Sequence, residues 1–377
     1  MVSWPEAVAR RLAADGPFVF EGPTTIGWLP DSRRVIVSGT PRSGGPPRLL
    51  MLDTITGTAI QLAAGKDAET HPVVSPDGGR IAFVSRGWDS DLVRLPIDGG
   101  APVPLIATLQ SETFPDMLPS GLLAYVTNAG GAQAIRLRSP GESWSRPLDV
   151  GAALGDVGMA EVRLSPDGQR AAFSSVAGDH LIWVVPTAGG APVRLDAETT
   201  DQHGPSWSPD GNWIAYRRLL DGAWSIVKRP LGGGAAVRLD EALPGAGQSD
   251  WSADGKWIAH ARLDGMHLVP PDGSPIRVIA DLRGPISAFR FSRDGSRLFA
   301  VRRGQQREWQ LVIRDVAADR QLEVVTLPIA AAANVNFMTL TADEAHILIN
   351  VTMNRSDIWL LEGFDPPVAW WERWMPR

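Results

Sequence analysis

The sequence predicts an all-β fold built from repeated units, and three observations lead to this prediction. The chain of 377 residues contains 39 Gly and 31 Pro, a composition that suits many short strands joined by tight turns. The tetrapeptide Ser-Pro-Asp-Gly occurs in full at three places and in degenerate form at five more. A short apolar run of the length of a strand follows each copy. Each copy therefore marks one unit of an all-β repeat.

The spacing of these turns defines the kind of repeat. The eight copies are separated by about 45 residues on average, which is the period of a four-stranded propeller blade. The sequence thus predicts a single closed β-propeller with eight four-stranded blades. A seven-bladed ring is the alternative, and it requires one of the poorest copies, at Asp31 or Asp343, to be accidental. The copies begin at Leu29, Ser75, Leu118, Ser165, Ser208, Ser252, Ser292 and Thr341.

The chemistry of the turn accounts for its residues. Proline presets the first corner, aspartate bonds the nearby backbone, and the fourth residue takes the left-handed conformation that glycine favours. The aspartates are therefore predicted to be turn residues and not ligands. The residue two positions before each proline position is always apolar, and we expect it to pack between neighbouring blades. These residues are Trp28, Val74, Met117, Leu164, Trp207, Trp251, Phe291 and Leu340.

The repeat sets the predicted domain boundaries. Residues 1–16 form an N-terminal helical or irregular segment, residues 17–364 form the propeller, and residues 365–377 form a tryptophan-rich tail. The last repeat ends after its third strand, while a spare extended segment, Pro17–Glu21, precedes the first repeat. We expect this N-terminal strand to complete the last blade and close the ring, because closure removes exposed sheet edges. The alternative is a closing strand from Val368–Trp374.

Several motifs resemble a known repeat. Ser75-Pro76-Asp77-Gly78 is followed by Ile81-Ala82-Phe83, and a later repeat contains Ile182–Val185 and Gly189–Leu195. This pattern resembles the TolB-like, or WD40-like (PD40), propeller repeat and covers roughly residues 17–364. The resemblance implies the fold but not the function, because that repeat occurs in the TolB translocation protein and in the propellers of prolyl-oligopeptidase-type and tricorn-type proteases. The ending Ser356–Phe364 is similar to propellers attached to bacterial kinases and winged-helix regulators, which implies a sensor or scaffold role.

Composition and missing motifs exclude several function classes. The net charge of −6, with both signs interspersed, argues against a nucleic acid partner. Without cysteine, disulfides and thiolate metal sites are excluded. No apolar run is long enough for a membrane span, and the first twenty residues lack the apolar core of a signal peptide, so a cytoplasmic location is expected. The sequence contains no Gly-x-Ser-x-Gly, His-Glu-x-x-His or phosphate-loop motif, and no cofactor is predicted.

Candidate site residues lie five to seven positions before the proline positions, where the inner strands of a propeller begin. Polar side chains there would surround one mouth of the central channel. Two functions fit such a set. Non-catalytic binding of a protein or peptide is the first. The alternative is an enzyme, a lyase or hydrolase on a glycan or peptide, in which histidine and glutamate act as acid, base or metal ligands. The set is Glu69, His71, Glu112, Glu161, Gln202, His203, Gln248 and Asn336.

Two further surfaces complete the predictions. Trp370, Trp371 and Trp374 form an aromatic cluster in the tail that either binds a partner or folds back on the propeller. Paired arginines, such as Arg217-Arg218, recur among acidic residues and are expected to form solvated faces. The sequence leaves the oligomeric state and the identity of the partner open.

Overall fold

A computed structural model describes residues 16–20, 25–42, 46–63, 65, 67–108, 110–128, 133–150, 158–176, 180–240 and 248–364. These residues divide into two compact units. Unit 1 comprises Met1–Trp88 and Asn354–Arg377, and unit 2 comprises Asp89–Met353. Within the described part of the chain every regular element is a strand, and none is a helix that could cross a membrane. The predicted N-terminal helical segment falls almost entirely on residues 1–15, outside the described ranges.

Unit 1 contains the first repeat and the beginning of the second. The strands of the first are β1 (Phe18–Val19), β2 (Gly27–Trp28), β3 (Arg34–Pro41), β4 (Arg48–Asp53) and β5 (Ala59–Gln61). The second repeat begins with β6 (Ala68–Val74), which pairs with residues 80–86 of the long strand β7 (Arg80–Pro96). Residues 354–362, from the second long strand β30 (His346–Glu362), extend this sheet. Ile81 and Phe83 pack there against Leu361 and Phe364.

Unit 2 contains six antiparallel sheets. Residues 89–96 of β7 and residues 346–353 of β30 belong to this unit, so each long strand passes from one unit to the other. The remaining strands are β8 (Val103–Ile106), β9 (Glu112–Met117), β10 (Leu123–Thr127), β11 (Ala134–Arg138), β12 (Arg146–Pro147), β13 (Met159–Leu164), β14 (Arg170–Ser175), β15 (Ile182–Pro186), β16 (Val193–Arg194), β17 (Gln202–Trp207), β18 (Trp213–Leu220), β19 (Ala223–Pro230), β20 (Val237–Arg238), β21 (Ser249–Trp251), β22 (Ile258–Arg262), β23 (Gly265–Val269), β24 (Arg277–Ile279), β25 (Ile286–Phe291), β26 (Arg297–Arg303), β27 (Trp309–Asp315), β28 (Arg320–Leu327) and β29 (Asn334–Leu340).

The turns form as predicted. The fourth residue of the tetrapeptide has a positive φ in all eight copies, including the two that lack glycine, Ser32 (φ 54°) and Glu344 (φ 53°). The aspartate accepts hydrogen bonds inside the turn; Asp77 Oδ1, for example, accepts one from the Gly79 N–H at 3.0 Å. The repeat at Asp31 and the repeat at Asp343 are therefore genuine. The prediction of an all-β fold with eight blades is confirmed.

The closure differs from the prediction. The first strands of the six sheets of unit 2 pack in a closed cycle, β9, β13, β17, β21, β25, β29 and back to β9, so the ring in unit 2 contains six blades and not all eight. The predicted closing strand is also wrong: Phe18 and Val19 pair with Pro41 and Thr40 of β3. Residues 89–96 and β8 complete the last blade instead, because β7 continues as an extended strand through Gly87 and Trp88. Leu92 and Leu95 are fully buried in that sheet. The alternative closing segment, Val368–Trp374, lies outside the described residues.

Candidate functional site

The centre of unit 2 is surrounded by its six inner strands. Each of them contributes the residues two and three positions before its proline position to a cavity of about 300 Å³, which we call the turn-end cavity. The apolar member of each pair was predicted to pack between blades. Leu164, Trp207, Phe291 and Leu340 are buried as expected. In unit 1, by contrast, Trp28 is 58% exposed.

The residues three positions before the proline position link the inner strands to one another. The side chain of one strand accepts a hydrogen bond from a backbone N–H of the next. Asp116 accepts from Leu164 at 2.7 Å and Asp250 from Phe291 at 2.8 Å. Ser206 accepts in the same way from Trp251, and Thr339 from Met117, which joins the last blade to the first. The sequence contains these short polar side chains at a fixed position in four repeats, but their spacing alone does not predict that they link the strands.

Arginine occupies the same position in the other two inner strands, and one of these arginines spans the turn-end cavity. The guanidinium of Arg290 contacts Asp250 Oδ1 at 2.6 Å and also forms an ion pair with Asp116. Burial raises the pKa of Asp250 to about 7 and lowers that of Arg290 to about 9, while the Phe291 N–H and the charge of Arg163 oppose the shift of Asp250. The residues at this end of the centre are therefore engaged in holding the strands together.

The opposite end of the inner strands contains a second, larger cavity of about 460 Å³, which we call the mouth cavity. Four of the eight predicted site residues line it: Glu161, His203, Gln248 and Asn336. They come from positions five and six before the proline position, on or just before strands β13, β17, β21 and β29. The structure therefore brings half of the predicted set together around one cavity in unit 2.

Glu161 and His203 form the only carboxylate–imidazole pair among the described lining residues of the mouth cavity. His203 Nδ1 lies 3.5 Å from Glu161 Oε2. The same oxygen accepts hydrogen bonds from the Ser174 hydroxyl at 2.7 Å and from the Gly204 N–H at 2.8 Å. Burial favours the neutral acid, but these hydrogen bonds and the charge of His203 prevail and lower the pKa of Glu161 to about 2. Glu161 is therefore an ionised hydrogen-bond acceptor at neutral pH and a weak base.

Aromatic rings form the rest of the wall around this pair. The His203 ring lies 4.4 Å from His180 and 5.2 Å, edge to face, from Trp224. Trp224 in turn stacks on the guanidinium of Arg217 at 4.9 Å. Burial lowers the pKa of Arg217, and the charge of Glu161 opposes this shift. The prediction that Arg217 belongs to a solvated face is wrong, because its side chain is buried on the Trp224 ring.

Gln248 adds a polar group to the wall. Its Nε2 donates to the Asn336 carbonyl oxygen at 2.7 Å, whereas its Oε1 is buried without a hydrogen-bond partner. Phe337 lies beside it in the wall and packs on Phe114 with ring centroids 4.2 Å apart. Arg217, Trp224 and Phe337 were not in the predicted set, because they lie on an outer strand or an apolar position where the sequence gives no signal for a site.

The residues seven positions before the proline position have a different environment. Gln202 Oε1 accepts from the Ile182 N–H at 3.2 Å, which ties one blade to the third strand of the previous one. Glu69 makes the corresponding contact in unit 1, with the Leu49 N–H at 2.9 Å. Glu112 is buried, accepts from the Thr108 hydroxyl at 2.6 Å, and has its pKa raised by burial. These side chains point between blades, so the structure does not bring them together with the residues of the mouth cavity.

The remaining predicted site residues are His71 and the three tryptophans of the tail. His71 belongs to unit 1, where its exposed ring contacts Thr70 Oγ1 at 3.0 Å. Trp370, Trp371 and Trp374, the predicted partner-binding residues of the tail, lie outside the described residues.

Comparisons with known proteins agree with this architecture. The family model of the lipoprotein LpqB beta-propeller domain matches residues 50–220. The uncharacterized peptidase YuxL of Bacillus subtilis is 26% identical over 172 residues, which cover 45% of this chain and 24% of YuxL. The chain thus spans about a quarter of the length of this relative.

Solved structures are similar as well. A protein assigned as TolB from Agrobacterium tumefaciens has a TM-score of 0.53 at 19% identity, covering 71% of this chain and 99% of its own. TolB from Acinetobacter baumannii has a TM-score of 0.48 at 15% identity, covering 86% and 82% of the two chains. The fold, the family model and the match to the Agrobacterium tumefaciens protein define the chain as a β-propeller protein. The resemblance of its repeats to the TolB-like propeller repeat is confirmed.

Proposed function

We propose that this protein is a non-catalytic binding module that holds a peptide, or an extended segment of a protein, at the mouth cavity of unit 2. The observation that carries the proposal is the lining of a cavity of about 460 Å³, in which aromatic rings and the polar residues Gln248 and Asn336 lie together. Such a lining offers a ligand apolar contact and hydrogen bonds in one place.

The character of the cavity wall supports a peptide ligand. Trp224, Phe289 and Phe337 offer apolar ring surface, while Gln248 and Asn336 offer hydrogen-bonding groups. Ligand sites commonly combine an apolar lining with a few placed polar groups. The charges of Glu161 and Arg217 are of opposite sign and partly cancel, so an apolar or aromatic side chain flanked by backbone amides fits this wall better than a strongly charged ligand.

Binding without catalysis is favoured by the state of Glu161. A general base works best when its pKa lies near the working pH. Three contacts hold the pKa of Glu161 far below neutral pH. His203 is surrounded by the rings of His180 and Trp224, which suits a wall residue. The alternative, a hydrolase or lyase acting on a peptide or glycan, would use the same Glu161–His203 pair, and the peptidase YuxL, of which this chain matches 24%, keeps that alternative in the test.

The proposal is tested with peptides selected from a random phage-displayed library against the immobilised full chain. Isothermal titration calorimetry then compares the wild type with Trp224→Ala and with Trp144→Ala, a control in which an exposed tryptophan outside the cavity is removed. We expect Trp224→Ala to weaken binding by about tenfold or more, or about 1.4 kcal/mol, and Trp144→Ala to leave it unchanged. Equal affinities of the two variants, or no selected peptide, would contradict the proposal.

The same peptide distinguishes the enzyme from the binding module. It is incubated with the wild type and with Glu161→Gln, and its mass is followed by mass spectrometry. We expect the peptide to remain intact with both proteins. Cleavage by the wild type that disappears in Glu161→Gln would establish the enzyme instead.

A further inference from the structure

Two neighbouring blades of unit 2 each contain an aspartate that is bonded by a tyrosine or histidine and by an arginine, an arrangement that we call the clasp. In one of these blades the clasp includes an unusual cluster of nitrogen and oxygen ligands. In the blade of β17–β20, the Tyr216 hydroxyl donates to Asp196 Oδ2 at 2.9 Å, and Arg218 approaches the same oxygen at 3.4 Å. Asp196 precedes β17 and comes from the end of the previous repeat. The contact therefore ties two consecutive blades together.

The next blade, β21–β24, repeats this clasp with one change of residue. Asp240 corresponds to Asp196, and Arg262 forms an ion pair with it as Arg218 does with Asp196. His260 stands in place of Tyr216, and its Nε2 lies 2.9 Å from Asp240 Oδ2. Both blades therefore contain the clasp, but the second blade has an imidazole where the first has a phenol.

A second histidine faces the first across the hairpin. His267 on β23 pairs with His260 on β22, and the two rings are 5.3 Å apart. In the preceding blade the corresponding pair is Tyr216 and Val227. Both members of this cross-strand pair are thus histidine in the second blade. The clasp itself requires neither histidine, because the preceding blade forms it with a tyrosine and a valine at these positions.

His267 is arranged as a metal-ligating histidine is. Its side chain is 8% exposed, and its Nε2 contacts the Asp264 carboxylate at 3.1 Å. Its Nδ1 is buried and has no hydrogen-bond partner. Metal-bound histidines commonly donate their other ring N–H to a carboxylate, which fixes the tautomer and leaves the remaining nitrogen free for the metal. The unpartnered Nδ1 is therefore an open ligand position.

From this geometry we propose that Asp240, His260 and His267 form a binding site for a divalent transition-metal ion such as Zn²⁺. One ligand atom from each of the three residues lies within 4.8 Å of the others, and all three residues are buried. Two imidazoles and one carboxylate are a ligand set that zinc accepts, with bonds of about 2.0–2.2 Å in a tetrahedral arrangement. Ligands of such an ion lie about 3.3 Å apart, so the 2.9 Å contact between His260 and Asp240 needs to widen only slightly.

The surroundings are compatible with this ion. His260 and Arg262 both contact Asp240 Oδ2, and because a carboxylate has two oxygens, Arg262 would move to Oδ1 when the ion takes Oδ2.

The test uses the purified full chain after treatment with EDTA, with ZnCl₂ as the probe. Isothermal titration calorimetry and the thermal midpoint are measured for the wild type, for His260→Tyr and for His267→Val. These variants introduce the residues of the preceding blade, so they keep the clasp and are expected to fold. His346→Gln, on β30, is the control for adventitious binding to a half-buried histidine outside the cluster.

We expect one Zn²⁺ per wild-type chain with a raised thermal midpoint, loss of both effects in His260→Tyr and His267→Val, and no change in His346→Gln. Asp264→Asn should weaken binding by about 10- to 100-fold, because it removes the carboxylate that orients His267. Co²⁺ should give the visible absorption of a tetrahedral site in the wild type alone. A wild type that binds no zinc, or variants that bind it as tightly as the wild type, would overturn the proposal.

Discussion

The guanidinium of Arg290 contacts the carboxylate of Asp250 at 2.6 Å across two neighbouring inner strands of unit 2. The same guanidinium reaches Asp116, which lies two blades further along the ring. Each of these carboxylates also accepts the backbone N–H of the following strand. One arginine thus holds together four strands at the turn end of the centre, and this end is a structural element rather than an open entrance.

Replacement of Arg290 by methionine is expected to destabilise the protein strongly. It removes the guanidinium that contacts two buried carboxylates, and breaking a buried ion pair in this way costs about 3–5 kcal/mol. Urea unfolding followed by circular dichroism measures the loss. Arg320→Met, at an exposed position on β28, is the control and should change the free energy of unfolding by less than about 0.5 kcal/mol. Similar losses in the two variants would show that Arg290 is not paired as described.

The loss in Arg290→Met is expected to be recovered in part by neutralising its partners. The triple variant Arg290→Met, Asp116→Asn and Asp250→Asn keeps an oxygen acceptor for Leu164 and Phe291 but removes the unpaired charges. It should therefore unfold at a higher urea concentration than Arg290→Met alone. A triple variant less stable than the single one would mean that the carboxylates contribute mainly through other contacts.

The low pKa of Glu161 predicts a pH-dependent contribution to stability. Its pKa is about 2 in the folded chain against 4.5 for an ordinary glutamate. The contribution is thus complete above about pH 4.5 and is lost as the pH falls toward about 2, and it amounts to about 3 kcal/mol. The free energy of unfolding of the wild type should exceed that of Glu161→Gln at neutral pH, and the difference should shrink below about pH 4.5. A difference that does not vary with pH would contradict the assignment.

Two tyrosines test the strength of the outer clasps. Tyr216 donates to the buried carboxylate of Asp196, whereas Tyr125 bonds the neutral hydroxyl of Ser145 at 2.7 Å. Hydrogen bonds to charged groups contribute about 1.5–3 kcal/mol and neutral ones about 0.5–1.5 kcal/mol. Tyr216→Phe should therefore lower the free energy of unfolding more than Tyr125→Phe does. Thermal or urea unfolding of the two variants gives the comparison, and the reverse order would be evidence against the clasp.

Unit 2 is expected to fold without the rest of the chain. Its six blades close on themselves, and residues 89–96 with β8 complete the last blade. A fragment of residues 89–353 should show a β-sheet circular dichroism spectrum and a cooperative thermal transition. A shorter fragment, residues 110–353, lacks those two strands and should be much less stable, because an edge is left open. Equal stability of the two fragments would contradict the described closure.

The sequence was sufficient for the repeat but not for its closure. Each turn carries its own local signal, so even Ser32 and Glu344 could be assigned to turns. Which strands share a sheet depends on long-range pairing, and nothing local distinguishes β7 continuing through Gly87 from a strand that ends there. The N-terminal strand was therefore assigned to the wrong partner.

The candidate site, like the fold, could be predicted only in part from the sequence. The inner strand positions are fixed by the turn, so Glu161, His203, Gln248 and Asn336 could be placed at one end. A side chain seven positions before the proline position points between blades, as Gln202 does, because strand bulges change which face it occupies. Trp224 enters the cavity wall from a neighbouring strand, which no spacing within one repeat reveals.

Hydrogen–deuterium exchange of the full chain, with and without a peptide selected as described, locates the binding surface. If the peptide binds at the mouth cavity, exchange slows in residues 202–207, 248–251, 286–291 and 334–340, which contribute to that cavity, and does not change in the control segments 309–315 and 320–327 on outer strands. Protection confined to segments outside the mouth cavity, or no protection at saturating peptide, would show that the peptide does not bind there.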